Sequence, residues 1–194
     1  MQYQEKTFAL KELNGISAKQ ITEHLKLYSG YVKNVNGLIE DINALKTDSL
    51  KNARAISELV RRFAFEWNGM RMHEYYFEAL GGDGTPNGSL LQSIENQYGS
   101  VDKWMQEFKT IGMMRGVGWV VLLLDPENKN LYNIWINEHE IGHLAGGKIL
   151  IAMDVWEHAY LLDYLPSDRK DYIENYFKNL DWTVVERRYS ETQK

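Results

Sequence analysis

The chain has 194 residues, of which 44% are hydrophobic and 25% are charged, a composition typical of a globular protein with one large domain or two small ones. Its net charge is −5 and no block of lysine or arginine stands out, so neither nucleic acid nor a membrane is an expected partner. Cysteine is absent, which excludes disulfides, thiolate metal sites and a cysteine nucleophile within the chain.

The opening stretch, MQYQEKTFALKELNG, lacks the charged and apolar blocks of a secretory signal peptide. Apolar runs also stay well short of the ~20 residues that a membrane-spanning helix needs. We therefore expect a soluble, cytoplasmic protein.

A long first helix is predicted to begin at Ser17, because Ser17 to Gln20 (SAKQ) matches a capping box. His24 falls on its apolar stripe, and Lys46 to Ser49 (KTDS) is the predicted break. The apolar positions of the helix recur with helical spacing at Ile21, Leu25, Tyr28, Val32, Val35, Leu38, Ile39, Ile42 and Leu45.

A second helix follows, and again a histidine lies on its apolar side: His73 stands three residues after Met70 and three before Tyr76. A single histidine on an apolar face is usually a hydrogen-bonded core residue, but two of them on facing helices favour a shared function. Gly81 to Gly88 (GGDGTPNG) is the only Gly/Pro-rich segment, so we place a domain boundary there, between residues 1–88 and 89–194.

The second region mixes helices and strands. Helices are predicted at about 89–98 and 101–110, and helical patterns return from about Ala159 onward. Between them, short apolar runs predict strands at Gly118 to Leu124, Leu131 to Ile136, and Lys148 to Trp156.

The motif His139 to His143 (HEIGH) matches HExxH, in which two histidines one helical turn apart hold zinc. That chemistry requires a helix, whereas here a predicted strand leads into the motif and Gly146 and Gly147 follow it. Each glycine costs a helix about 1 kcal/mol relative to alanine. We interpret the motif as a strand-to-loop connection and keep a zinc hydrolase as an alternative.

A further candidate is the segment Asp154 to Tyr160 (DVWEHAY), which puts an aspartate at the end of an apolar strand and His158 four residues later. Burial of that carboxylate is costly unless it is paired or bound to a metal. Its simplest structural role is to cap a following helix.

DVWEHAY resembles a signature of the iron/manganese superoxide dismutase family, and similar segments run along nearly the whole chain: YVKNVN at 31–36, HEYYF at 73–77, GVGW at 116–119 and NLDW at 179–182. The resemblance implies an α+β fold, in which an N-terminal antiparallel helical hairpin precedes a mixed domain with a three-stranded antiparallel sheet flanked by helices. It also implies dismutation of superoxide at one Fe or Mn ion per chain, held between the two domains.

The metal ligands that the resemblance implies are His24, His73, Asp154 and His158. Three imidazoles and one carboxylate suit an Fe or Mn ion that must be stable in two oxidation states. Tyr31 is then the expected gate and proton relay. Trp119 and Trp156 are expected to wall the pocket.

The spacing from His24 to Tyr31 is seven residues, one fewer than in the common family pattern. At about 100° per residue, seven steps return to within ~20° of one helix face, whereas eight leave ~80° between the side chains. Spacing by eight suits a π-bulge and spacing by seven needs none. We therefore keep His24 as the ligand and Glu23 as the alternative.

A glutamine of the family hydrogen-bonds the metal-bound solvent from one of two places, which hold Gly69 and His139 here. The resemblance therefore implies that His139 replaces this glutamine, as in a subset of the family. We expect His143 to be a surface or loop-packing residue.

The resemblance also implies a homodimer or a dimer of dimers, because Glu157 matches the residue that reaches across the family's dimer to the opposite ligand histidine. The interface tyrosine of the family is replaced by Leu161, and its histidine partner by Tyr28 or Leu27. A non-enzymatic metal-binding or interaction protein on the same scaffold is the other alternative, against which the intact ligand set and Tyr31 argue.

Overall fold

The computed structural model describes residues 2–193, and its elements confirm the α+β class. The order along the chain is α1 Ala18–Leu45, α2 Ala53–Glu78, α3 Leu90–Tyr98, α4 Val101–Gly112, β1 Gly118–Leu124, β2 Leu131–Asn137, β3 Lys148–Asp154, α5 Arg169–Lys178 and α6 Trp182–Glu191.

The helical hairpin consists of α1 and α2, which pack along each other and are joined through a 3-10 turn at Lys46–Asp48. Ser17 caps α1, since its side chain accepts a hydrogen bond from the backbone N–H of Gln20 at 3.0 Å. The Gln20 side chain does not complete a capping box. It donates to the carbonyl of His158 at 2.6 Å and accepts from the N–H of Leu162 at 3.0 Å, which ties the start of α1 to the segment after β3.

The sheet is antiparallel with the strand order β2-β1-β3, and every residue of the central strand β1 is buried. Trp119 of β1 pairs with Asp154 of β3. The predicted third strand was two residues too long. It ends at Asp154 because Val155 N–H turns to the carbonyl of Gly118 at 2.9 Å, while Trp156 N–H donates to the Asp154 carboxylate at 2.8 Å.

The helices expected after Ala159 are present as α5 and α6, but their predicted start at about Ala159 was wrong. Residues Glu157–Ala159 and Pro166–Asp168 form 3-10 turns, and α5 begins only at Arg169. Pro166 cannot donate the backbone hydrogen bond that would continue a helix through this stretch. The apolar residues that produced the helical pattern face solvent instead: Leu161 is 43% exposed, Leu162 50% and Leu165 67%.

The hairpin and the sheet share one hydrophobic core, in which α2 packs against β3 and Leu80 forms a β-bridge with Leu180. The inner faces of α1 and α2 thereby lie against the end of β3, where Asp154 stands. The boundary at residue 88 stays a prediction. Among residues 2–193, no helix combines the length and the apolar character needed to cross a membrane.

Candidate metal centre

Four potential ligands meet between the hairpin and the sheet. His24 comes from α1, His73 from α2, Asp154 from the end of β3 and His158 from the turn after it, and one ligand atom of each lies within 4.8 Å of the others. The side chains of His24, His73 and Asp154 are fully buried, and that of His158 is 23% exposed. The fold therefore brings together His24 and His158, which are 134 positions apart in the sequence.

The distances fit a single ion. Asp154 Oδ2 lies 3.0 Å from His24 Nε2, 3.2 Å from His158 Nε2 and 3.7 Å from His73 Nε2. Atoms that each bind one transition-metal ion at about 2.1 Å, with ~90–120° between the bonds, lie roughly 3.0–3.6 Å apart. The nitrogens of His24 and His158 thus lie at the separations of neighbouring ligands from one carboxylate oxygen, and that of His73 lies only slightly beyond this range.

The hydrogen bonding of His73 gives an independent test of this fit. Its Nδ1 donates to the backbone carbonyl of Gly69 at 2.6 Å, which leaves Nε2 without its proton. That Nε2 is buried and has no hydrogen-bond partner. Buried polar atoms are normally paired, and metal-binding histidines typically donate their other ring N–H to a carbonyl or carboxylate. A metal ion explains both observations.

The charge state of the site also suits a cation. Burial lowers the pKa of His24 and, more strongly, that of His73, so both imidazoles are neutral. Burial opposes ionisation of Asp154, but the neighbouring His158 and hydrogen bonds from His158 and His24 hold the pKa of Asp154 well below its usual range. The site therefore presents the neutral imidazoles of His24 and His73 and one permanent negative charge on Asp154.

Aromatic side chains enclose the four ligands. Trp119 meets the His73 ring edge-on with centroids 5.1 Å apart, and Trp156 stacks on His158 at 5.6 Å. The Tyr31 ring lies 5.1 Å from that of His73 and is only partly buried. Tyr31 is therefore beside a ligand and in contact with solvent, and its role as a gate stays a prediction.

His139 belongs to this surrounding layer. It is fully buried and burial lowers its pKa to about 4, which makes it a neutral imidazole. Its Nε2 lies 2.6 Å from Tyr31 Oη, and its Nδ1 accepts a hydrogen bond from Trp119 Nε1 at 3.0 Å. Burial raises the pKa of Tyr31 well above its ordinary value, so the phenol keeps its proton.

The HEIGH segment is not helical: residues 138–140 form a turn directly after β2. His139 points toward the ligands, whereas His143 Nε2 lies 2.8 Å from the backbone carbonyl of His139. The two imidazoles of the motif do not converge on a common point, as a zinc hydrolase requires.

The other candidates lie outside the ligand set. Glu23 is on the exposed face of α1, where it forms an ion pair with Lys26 at 2.7 Å. Glu157 is exposed on the surface beside His158. Of the two residues proposed at the family's interface position, Leu27 is 41% exposed and Tyr28 is buried.

Two contributors were not recognised from the sequence. Phe65 packs edge-on against His139 with centroids 4.6 Å apart, and Tyr172 donates a hydrogen bond from its hydroxyl to the Asp154 carbonyl at 2.7 Å. Phe65 lies eight positions before His73, a spacing that leaves ~80° between the two side chains around α2, so helical periodicity does not predict its contact with His139. The contact of Tyr172 has no sequence pattern either.

Comparison with known proteins agrees with this arrangement. Residues 86–188 match the model of the family described as iron/manganese superoxide dismutases, C-terminal domain. The chain is 33% identical over 183 residues to a "Superoxide dismutase [Fe]" of Cupriavidus metallidurans, covering 92% of this chain and 91% of that protein. It is 33% identical over 171 residues to the "Superoxide dismutase [Fe]" of Pyrobaculum aerophilum, covering 85% and 79%.

A third relative, the "Superoxide dismutase [Mn/Fe]" of Aeropyrum pernix, is 34% identical over 171 residues, which are 85% of this chain and 78% of the relative. The matches extend over both the hairpin and the sheet region. The chain belongs to the iron/manganese superoxide dismutase family.

Proposed function

We propose that this chain converts superoxide to oxygen and hydrogen peroxide at one Fe or Mn ion held by His24, His73, Asp154 and His158. The reaction and the choice between these two metals follow from membership of the family. The ligand assignment is supported most directly by the three imidazole nitrogens at 3.0, 3.2 and 3.7 Å from one oxygen of Asp154. A metal ion held there would supply the one-electron redox chemistry that the reaction needs.

The protein contributes a ligand set suited to both oxidation states. Imidazole nitrogen and carboxylate oxygen are ligands that Fe and Mn both accept, which agrees with relatives named for either metal. Burial of Asp154 and the hydrogen bond that its carboxylate accepts from Trp156 N–H orient the carboxylate, while Tyr172 donates to the backbone carbonyl of Asp154. Trp119 and Trp156 pack against the ligands His73 and His158 and limit their contact with water.

Formation of hydrogen peroxide takes up protons, and Tyr31 is placed to pass them on. Its phenol remains protonated, lies beside His73 and is partly exposed, so it connects the interior with solvent. A positioned phenol of this kind can act as a general acid.

The experiment that tests this proposal is to load the metal-free chain separately with Fe and with Mn and to follow superoxide decay after pulse radiolysis. We expect catalysis in at least one form with one bound ion per chain, and none in the metal-free chain. If both loaded forms bind one ion and leave the decay of superoxide uncatalysed, the proposed activity is wrong.

We also propose that the chain forms a homodimer through the surface around Glu157. Leu161, Leu162 and Leu165 lie on the same exposed segment, and the ligand His158 is the least buried of the four. Contiguous exposed apolar residues commonly mark a protein interface. A second copy of the chain that covers this face would shield His158 and let Glu157 reach the partner's ligand histidine.

Glu157→Ala tests the dimer. We expect it to weaken both association and metal retention, because a ligand histidine loses the carboxylate that orients it. Exposed Glu23, on α1, provides the control Glu23→Ala, which should change neither. Sedimentation that shows a fully active monomer at assay concentrations would remove Glu157 from this role.

A further inference from the structure

His139 uses both of its ring nitrogens. Nδ1 lies 3.0 Å from Trp119 Nε1, and Nε2 lies 2.6 Å from Tyr31 Oη. Because a neutral imidazole carries a single proton, only one of these nitrogens can donate. The partner at Nδ1 decides which one.

An indole N–H can only donate a hydrogen bond. His139 Nδ1 must therefore accept from Trp119, and the proton of the ring must be on Nε2. The opposite tautomer and the doubly protonated ring would each direct an N–H of His139 against the N–H of Trp119. It follows that Nε2–H donates to the Tyr31 oxygen, and that the hydroxyl hydrogen of Tyr31 is not shared with His139.

We propose that His139 is a positioning residue whose only N–H is committed to Tyr31, and that Tyr31 alone of this pair directs a hydrogen-bond donor toward the metal centre. Trp119 determines these hydrogen-bond directions, because its N–H donates to His139 Nδ1. The arrangement differs from the sequence-based expectation that His139 itself donates to metal-bound solvent. The direction of the Tyr31 hydroxyl rests on the proposed metal site, whereas the tautomer of His139 does not.

Packing fixes both partners of this hydrogen bond. Trp156 stacks on the His139 ring at 5.0 Å, and Phe65 closes its other side edge-on. Tyr31 fills the space that a side chain at Gly69 would need, because a Cβ at Gly69 would be 2.5 Å from Tyr31 Cδ1. The absence of a side chain at position 69 thus allows Tyr31 to reach His139.

A glutamine at position 139 would behave differently. Its amide oxygen could accept from Trp119, one N–H could donate to Tyr31, and a second N–H would remain for the metal-bound solvent. Histidine offers one donor fewer in the same surroundings. His139→Gln is therefore a gain of a donor, although it conserves polarity and approximate size.

Neutron diffraction of the deuterium-exchanged, metal-loaded protein tests the proposal directly. We expect deuterium on His139 Nε2, none on Nδ1, and a Tyr31 deuteron that points away from His139. Deuterium on Nδ1, or a Tyr31 deuteron between Oη and Nε2, would overturn the proposal. Either result is read independently of catalytic activity, so it is distinguishable from failure of the proposed function.

A second measurement uses ¹⁵N-histidine NMR of the full chain loaded with Zn²⁺, a diamagnetic ion that accepts the same ligand types. We expect a proton-bearing Nε2 and an acceptor-type Nδ1 for His139. In Trp119→Phe the constraint on Nδ1 is lost, and a mixture of tautomers should appear. Retention of the wild-type pattern in Trp119→Phe would contradict the role of Trp119.

Trp104→Phe is the matched control for these spectra. Trp104 is also a buried tryptophan with a hydrogen-bonded indole, but its Nε1 donates to Asn133 at 2.9 Å in another part of the core. Its replacement should leave the His139 signals unchanged. A change of the tautomer in Trp104→Phe equal to that in Trp119→Phe would show a general loss of packing and would also overturn the proposal.

Discussion

The helical hairpin and the loop after β2 each carry two histidines, and the two regions use them in opposite ways. His24 and His73 are 49 residues apart, yet their rings meet at 4.9 Å because two helices face each other. His139 and His143 are four residues apart but diverge, because the backbone between them is not helical. A short motif therefore predicts chemistry only together with the backbone conformation that its spacing assumes.

The largest expected effect is a difference in superoxide turnover between variants of the two histidines in the loop after β2. We expect His139→Ala to keep its metal and to lower superoxide turnover about 10- to 100-fold, the usual range for a residue that contacts the groups around a metal. His143→Ala is the matched control and should retain near wild-type turnover. Metal occupancy is checked in both variants. Equal turnover in the two variants would mean that His139 contributes no more to catalysis than His143.

The second prediction concerns a smaller effect, the dependence of folding stability on the ionisation of His139. His139 has a pKa of about 4 in the folded chain and ~6.5 when unfolded, so the unfolded chain binds more protons between these values. The contribution of His139 to stability is present above pH ~6.5 and is lost as the pH falls toward 4. Between pH 7 and pH 5 this amounts to roughly 2 kcal/mol.

Denaturant unfolding at the two pH values measures this contribution. His139→Gln has no imidazole at that position, so it should lose about 2 kcal/mol less than the wild type over the same interval. All other ionisable groups are the same in both proteins, so the comparison cancels their effect. An identical loss in both proteins would show that His139 is not held neutral by burial.

The smallest effect concerns a glycine of the hairpin. Gly69→Ala places a Cβ 2.5 Å from the Tyr31 ring, so we expect a net loss of about 1 kcal/mol of unfolding free energy. A Cβ at Gly37 of α1 has no neighbour within 4 Å, so Gly37→Ala should gain about 0.5–1 kcal/mol from the greater helix propensity of alanine. Chemical unfolding of both variants measures the difference. A similar gain in the two would show that Tyr31 moves without cost.

Much of the fold was predictable because its apolar pattern is local. The periodicity that ends at Leu45, the break after it and the run Gly118–Leu124 all depend on neighbouring residues. The predicted strand end at Trp156 and the predicted helix start at Ala159 were wrong for a common reason. Hydrogen bonds to the Asp154 carboxylate and the exposure of Leu161 depend on the rest of the structure, and no local pattern reports them.

The ligands of the candidate site were predicted from the resemblance to a family and not from a local pattern. The structure places one potential ligand atom from each of these four residues within 4.8 Å of the others. The hydrogen-bond direction at His139 was not predictable, since it depends on Trp119, twenty positions earlier. The contact of Phe65 with His139 likewise joins α2 to the loop after β2.

The measurement that tests the metal assignment most directly is the metal content of His73→Ala and His143→Ala, each purified in parallel with the wild type. We predict one Fe or Mn ion per chain in the wild type and in His143→Ala, and loss of the ion in His73→Ala, because its unpaired Nε2 faces the ligand carboxylate. Folding of each variant is checked by circular dichroism. Full metal content in a folded His73→Ala, with loss in His143→Ala, would contradict the account and favour the HEIGH motif.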